Sequence, residues 1–230
     1  ALPATYPGYQ PVTKPEIAEK FEKAWGAKVS TKGGLTIPEM MDAAGKGNIK
    51  FLYIMGENPM VSDPDISHVQ HCLENTGFLV VQDIFLTETA QFADVVLPAA
   101  AFAEKDGTFS NTERRVQRVR KAVDAPGIAK PDWVIIMELM NVLGYEKTYK
   151  HPSEIMDEIA SVTPSYAGID YDRLEEAGIQ WPCPTKEHPG TLYLHKGTFS
   201  RGKGLFKGIE YKDPDEQTDE EYPFVLTTGR

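Results

Sequence analysis

The stretch from Lys50 to Pro98 constrains the fold more than any other part of this chain. Three short apolar runs, Phe51–Met55, Phe78–Val81 and Val95–Leu97, are separated by segments with helix and turn signals. Gly56-Glu57-Asn58-Pro59 reads as a turn. Ser62 or Asp63 can cap a helix with Pro64 at its first position, running to about Asn75, where Gly77 stops the chain. Thr87–Phe92 reads as a second, shorter helix. Strands joined this closely through helices pair in parallel by right-handed crossovers. The apolar runs are continuous, as expected of strands buried on both faces. The expected fold class is α/β: half of a doubly wound parallel sheet, Rossmann-like, flanked by helices, with irregular N- and C-terminal extensions.

Four segments follow from this pattern. Residues 1–49 read as an N-terminal coil and two helices packing on the core. The first helix covers Thr13–Trp25, with Ile17, Phe21 and Ala24 at helical spacing; the second opens at Thr36 and carries Met40, Met41 and Ala44. Residues 50–145 form the Rossmann-like core. They include Thr108–Val123 as a hairpin or extended arm and an apolar helix from Pro131 that Gly144 ends. Residues 146–212 form a helical and irregular extension, with a helix over Ser153–Ala160, a rigid turn at Trp181-Pro182-Cys183-Pro184 and a short strand over Thr191–Leu194. Residues 213–230 comprise an acidic linker, Asp213–Glu221, and from Pro223 a strand that opens a following domain. The first residue is not Met and the final run, PFVLTTGR, has nothing to pair with, so both ends are expected to be cuts in a longer polypeptide.

Charge and cysteine usage exclude several classes. With 24 Lys and Arg against 34 Asp and Glu, the net charge of −10 argues against a nucleic-acid binder and against attraction to anionic membranes. Cys72 and Cys183 are far apart and form no CxxC, so neither a disulfide framework nor a zinc or iron–sulfur site is expected within these residues. His68, His71 and Cys72 lie about one helical turn apart, but no second ligand group completes a metal site. No run is long enough to insert in a membrane, and a cytoplasmic location is expected.

In a parallel sheet every strand's carboxyl end points to one edge, and ligands bind in the crevice outside it. Loops 56–61, 82–87 and 98–107 therefore converge, delivering Asn58, Gln82, Asp83, Thr87, Glu104, Lys105 and Asp106. An acid at a strand end, such as Asp83, suits the paired hydroxyls of a ribose. Lys105 suits a pyrophosphate or a carbonyl. Asp132, opening the later helix, could accept both donors of a guanine edge, although topology alone does not select it. Asp83 and Asp132 could equally be plain helix or turn caps. No GxGxxG follows the first strand, so an ordinary NAD-binding loop is not supported. The basic arm Arg114, Arg115, Arg118, Arg120 and Lys121 either lines an anion path or pairs with acids elsewhere, and the second is favoured. No nucleophile–base pair stands out.

The blocks YPGYQPV, LYIMGENPMVSDPD, VVQDIFLTETAQFADVVLP, EKDGTFSNTERRVQ, KPDW and PFVLTTGR occur in that order. Together they resemble the molybdopterin-guanine-dinucleotide oxidoreductases, and specifically an internal segment of the catalytic (alpha) subunit of formate dehydrogenases. The resemblance implies a whole enzyme that oxidises formate to carbon dioxide in a two-electron reaction at a bis-molybdopterin guanine dinucleotide carrying molybdenum or tungsten. It implies iron–sulfur or flavin partner subunits and a role in anaerobic respiration. This segment would bind one guanine dinucleotide through Asn58, Gln82, Asp83, Thr87, Lys105 and Asp132. The 4Fe-4S cysteines and the metal-ligating Cys or selenocysteine would lie in an N-terminal part not among these residues, so the resemblance places no catalytic or metal-ligating residue here and implies an inactive fragment. The rival readings are a nitrate reductase catalytic subunit of the same superfamily, and a non-catalytic scaffold as in the large subunit of NADH:quinone oxidoreductase.

Overall fold

A computed structural model describes residues 2–199, 201–214 and 217–226. Contacts divide the chain into two units, Ala1–Leu192 and Tyr193–Arg230.

The first unit opens with a small antiparallel ribbon, β1 (Thr5–Tyr6) and β2 (Gln10–Pro11). Helix α1 (Pro15–Trp25) uses its proline at the first position, where no intrahelical donor is lost, and buries Ala18 and Phe21. It ends on Gly26 at φ 64°, a left-handed residue whose N–H donates to Glu22 O at 2.8 Å. Helix α2 (Ile37–Gly45) opens with the Glu39 carboxylate accepting from the Thr36 N–H at 2.7 Å, and turns Met41 and Ala44 inward.

The parallel sheet comprises β3 (Leu52–Met55), β4 (Leu79–Asp83) and β5 (Val95–Pro98), in the order β3-β4-β5. The short helix α3 (Pro59–Ser62) and α4 (Ile66–Glu74) connect the first two strands, and a 3₁₀ turn, Thr89–Phe92, precedes the third. This agrees with the expected half of a doubly wound sheet. One cluster on the sheet joins Ile54, Leu79 and Val81 to Met41 and Ala44 of α2 and to Val69, Cys72 and Leu73 of α4. By strand alternation Tyr53, Val80 and Gln82 share the opposite face. Burying Leu79 and Val81 stabilises the fold by about 1.5–3 kcal/mol each.

A second core lies around an antiparallel sheet of β6 (Gly107–Ser110), β7 (Arg115–Val119) and β8 (Ile179–Gln180). Between β7 and β8 the chain forms α5 (Asp132–Val142) and α6 (Pro152–Val162). Val116, Met156, Ile169, Tyr171, Leu174, Ile179 and Cys183 fill this core. Gly168 and Gly178 sit where no side chain fits: a Cβ on Gly168 would lie 1.9 Å from the Thr185 carbonyl oxygen, and one on Gly178 2.8 Å from that of Val116.

The structure corrects four expectations. Only β4 is buried on both faces; Met55, Val95 and Val96 are exposed, because β3 and β5 are the edges of a three-stranded sheet. Helix α4 starts after Asp65, whose carboxylate accepts from the His68 N–H at 3.0 Å, rather than after Ser62 or Asp63. Asp63 is extended, as expected of a residue preceding proline, and a separate turn of helix uses Pro59. Thr191–Leu194 forms no strand; the Arg114 guanidinium binds the Thr191 and Leu192 carbonyls instead. Residues 223–226 form none either, and the rest of that expected strand lies outside the described residues.

In the second unit, an isolated antiparallel bridge joins Phe199 and Gly202, and Phe206, Ile209, Phe224 and Leu226 are exposed. The described part of the acidic 213–221 segment is exposed and irregular.

The first core makes a clear contrast. Leu79→Ala, at a side chain 1% exposed, is expected to lower stability to urea by about 2–5 kcal/mol. Val142→Ala, at 84% exposed, should change it by no more than about 0.5 kcal/mol. Equal effects would show that β4 is not the centre of the fold.

Candidate nucleotide-binding edge

At the carboxyl edge of the parallel sheet the structure holds two hydrogen-bonded groups of side chains. The first centres on Asn58, just before α3. Its amide donates to Glu88 Oε2 at 2.8 Å, and its carbonyl accepts from the Thr89 N–H at 3.2 Å and the Thr89 hydroxyl at 2.7 Å. The Met60 N–H in turn donates to Thr89 Oγ1 at 3.2 Å. Thr89 is fully buried, so this asparagine clamps the loop after β3 onto the loop after β4. The Asn58 amide also holds the Glu88 carboxyl below the ordinary carboxylate range.

The second group runs across the sheet. The Tyr53 hydroxyl donates to Gln82 Oε1, Gln82 Nε2 donates to Asp132 Oδ1 at 2.6 Å, and Lys105 Nζ donates to Asp132 Oδ2. Gln82 is 1% exposed, and its burial requires both ends of the amide to be satisfied. Burial, reinforced by the Asp132 charge, pushes the Tyr53 phenol up, so it remains a donor. Asp132 occupies the first turn of α5, where the helix dipole favours a carboxylate.

Asp132 reaches this edge because Lys130 forms a parallel bridge with Ala99. The Ala100 N–H donates to Lys130 O at 2.8 Å and the Lys130 N–H to Pro98 O at 3.2 Å. The chain thus extends the end of β5 and delivers Pro131 and Asp132 beside Gln82.

The remaining sequence-derived candidates sit on the same edge with partly engaged side chains. Asp83 Oδ1 accepts from the Phe85 N–H at 3.1 Å, a turn that carries Ile84, Phe85 and Leu86 outward, each at least half exposed. Thr87 Oγ1 accepts from the Ala90 N–H at 3.2 Å, capping the 3₁₀ turn and leaving its hydroxyl proton for another partner. Glu104 is engaged in its own loop, accepting from the Ala101 N–H at 2.8 Å. A cavity of about 280 Å³ opens beside Lys105 and Asp132, walled by Phe109, Trp133, Met156 and Tyr171. A larger one, about 590 Å³, lies away from this edge between the β1–β2 ribbon, β6 and α6, and is mostly aromatic and aliphatic.

Sequence reasoning missed Tyr53, Glu88 and Thr89. The signal for Tyr53 is a polar-tipped residue inside an otherwise aliphatic strand. For Thr89 it is a second threonine two residues beyond the one chosen.

The basic arm is consumed internally. Arg114, at φ 69° in the β6–β7 turn, donates to the carbonyls of Trp181, Thr191 and Leu192. Arg115 pairs with Glu113 at 2.7 Å and reaches Gly178 O at 3.1 Å. Arg118 and Arg120 share Glu175, and Arg118 also lies over the Tyr171 ring at 4.0 Å. Arg115, Arg118 and Arg120 pair with acids, the favoured alternative, whereas Arg114 binds backbone carbonyls instead.

Among the described residues no group of three or more His, Cys, Asp or Glu is arranged to hold a metal ion. His68 Nε2 lies 3.5 Å from Cys72 Sγ and 3.4 Å from Asp42 Oδ1. No helix among them is long and apolar enough to cross a membrane.

A parallel α/β half-sheet places amides, acids and one ion-paired lysine at its carboxyl edge, where open α/β sheets hold their ligands. The chain belongs to the molybdopterin oxidoreductase family, whose model matches residues 9–142. It is 56% identical to the F420-dependent formate dehydrogenase subunit alpha of Methanocaldococcus jannaschii, covering all of this chain and 34% of that protein. The F420-dependent formate dehydrogenase 2 subunit alpha of Methanococcus maripaludis shows the same identity and coverage. The chain therefore spans about a third of the length of these curated relatives. The fold is similar to that of acetylene hydratase from Pelobacter acetylenicus, with a TM-score of 0.53 and 22% identity over 70% of this chain and 23% of that one.

The family implies a molybdopterin cofactor. The donor set fits such an anionic, hydroxyl-bearing group: Lys105 has two N–H groups beyond the one given to Asp132, and Asp83 has a second oxygen with no partner among the described residues.

Both thiols are buried, and burial pushes the Cys72 thiol up, disfavouring its reactive thiolate. Ellman's reagent should therefore find neither cysteine in the folded chain and both after denaturation. Prompt labelling of the native chain would show that one of the two cores is open.

Proposed function

We propose that this chain is the cofactor-holding segment of a formate dehydrogenase alpha subunit, with residues 50–145 binding one molybdopterin guanine dinucleotide of a bis-dinucleotide cofactor. The observation that carries this reading is the 56% identity to an F420-dependent formate dehydrogenase alpha subunit along the whole chain. The convergence of Asn58, Gln82, Asp83, Thr87, Lys105 and Asp132 on one sheet edge supports it.

When bound, the pterin-carried molybdenum or tungsten supplies two-electron chemistry, taking electrons from formate as carbon dioxide forms. The residues of this chain bind and orient. Lys105, tethered by Asp132, offers its remaining N–H groups to the pyrophosphate. Asp83 offers its second oxygen to the ribose diol. Asn58 keeps the first two loops closed on each other, and Thr87 donates its hydroxyl proton. Asp132 and Gln82 serve by fixing Lys105. The whole protein would work in the cytoplasm in anaerobic metabolism, with a 4Fe-4S cluster and iron–sulfur or flavin subunits passing electrons on. The relatives' names point to F420 as a further electron partner.

The test is made on the whole protein carrying this chain, purified without oxygen. It should contain metal and two guanine dinucleotides per subunit and oxidise formate, with no reduction of nitrate. Lys105→Met should lower the retained dinucleotide about tenfold after dialysis, the scale of one lost charge-assisted contact. Nitrate reduction in place of formate oxidation would select the nitrate reductase alternative. Absence of pterin and metal would select the scaffold.

A further inference from the structure

The hydrogen-bonded path that ends at Lys105 begins at a half-buried tyrosine in the edge strand β3. Tyr53 lies in the middle of β3, paired in register with Val80 and on the same face as Gln82. Its hydroxyl donates to Gln82 Oε1. A side-chain amide can present either end to a neighbour, and Asp132, which only accepts, selects one: the Gln82 NH₂ faces Asp132 and donates at 2.6 Å, leaving Oε1 to take the Tyr53 hydroxyl. The reverse orientation would set the amide oxygen against a carboxylate oxygen. Every donor on the path, from Tyr53 through Gln82 and from Lys105 on the other side, thus points towards Asp132.

We infer that Tyr53 is a positioning residue for Lys105, acting through Gln82 and Asp132 and touching no ligand itself. The inference rests on the proposal that Lys105 holds the dinucleotide's pyrophosphate. With Asp132 held from behind, its Oδ2 stays where Lys105 Nζ meets it, and a lysine already fixed has less rotamer freedom to lose when an anion binds. Without the phenol, the buried Gln82 Oε1 has no donor, and the amide keeps its facing to Asp132 but loses the anchor that holds it in place. Asp132 is then held less firmly from behind, and Lys105 becomes a more mobile side chain. Filling space in the sheet would require only the ring; the path gives the hydroxyl a separate role.

The experiment uses the whole protein carrying this chain, expressed in a host that makes no pterin, with GDP and guanosine as calorimetric probes. The two ligands share base and ribose and differ in the pyrophosphate, so the ratio of their affinities reads the anion contact. Lys105→Met is expected to collapse that ratio. Tyr53→Phe should weaken GDP about three- to tenfold while leaving guanosine within about twofold. Para-aminophenylalanine at position 53, which keeps an N–H donor, should restore GDP binding. In a Gln82→Met background, where the link is already cut, Tyr53→Phe should cost nothing more. If Lys105→Met collapses the ratio and Tyr53→Phe leaves it intact, the inference about Tyr53 is overturned and the role of Lys105 stands. If Lys105→Met leaves the ratio intact, both fall. Should Tyr53→Phe not fold, Gln82→Met reads the same link from its other end: selective loss of GDP supports the path, and equal loss of both ligands overturns it.

Discussion

A neutral amide buried at the end of the central strand dictates how the edge of this sheet is assembled. Gln82 is 1% exposed in the one strand of the parallel sheet covered on both faces, and leaving either end of its side chain unpaired would cost about 1–3 kcal/mol. Two partners must therefore be brought to it, one from each side. Tyr53 arrives by register, since β3 and β4 run in parallel with Tyr53 beside Val80. Asp132 arrives by the Ala99–Lys130 bridge, which turns the start of α5 towards the strand ends. The position of α5, and with it the lysine that Asp132 holds, follows from satisfying one side chain.

The sheet was legible in the sequence because its signals are local: apolar runs of strand length, glycine and proline at the breaks, and helix-bearing connections long enough for one crossover between neighbouring parallel strands. Degree of burial was less legible. The composition of β3 and β5 resembles that of β4, but edge position depends on how many strands there are, and a run of valines does not record that. Two connections left no pattern at all. The β8 strand is two residues long, and the Lys130 bridge is a single residue, so neither produces a periodicity to detect. Asp132 entered the candidate site through motif resemblance, and the bridge now gives the physical reason for its place there. Thr89 escaped for the opposite reason: its role depends on complete burial, and nothing in TETAQF distinguishes it from Thr87.

Charge shows a related division. The chain carries a net charge of −10, yet its arginines cluster in one arm, a pattern that from sequence alone could mean an anion path. In the structure that arm staples the second core. Arg114 takes three backbone carbonyls and Arg118 and Arg120 share one glutamate, leaving these guanidinium groups committed to the fold. Lys105 differs from them in kind. It has one short ion pair, is largely but not wholly buried, and lies at the mouth of a cavity instead of within a network of carbonyls. An ammonium with one fixed partner keeps direction while retaining donors.

The same distinction sorts the sheet edge into support and contact. Asn58 and Gln82 are the residues whose family motifs are most recognisable, but their side chains are largely spent on protein partners. Asn58 gives its carbonyl to Thr89 twice over and an N–H to Glu88, and Gln82 bridges Tyr53 and Asp132. What the edge can still offer an incoming molecule comes from the loops: two N–H groups of Lys105, one oxygen of Asp83 and the hydroxyl proton of Thr87. In the proposed role, that cation would meet a pyrophosphate, and the acid and hydroxyl a ribose. The amides hold the loops rigid enough that few groups suffice, because a preorganised contact loses less entropy on binding than a flexible one.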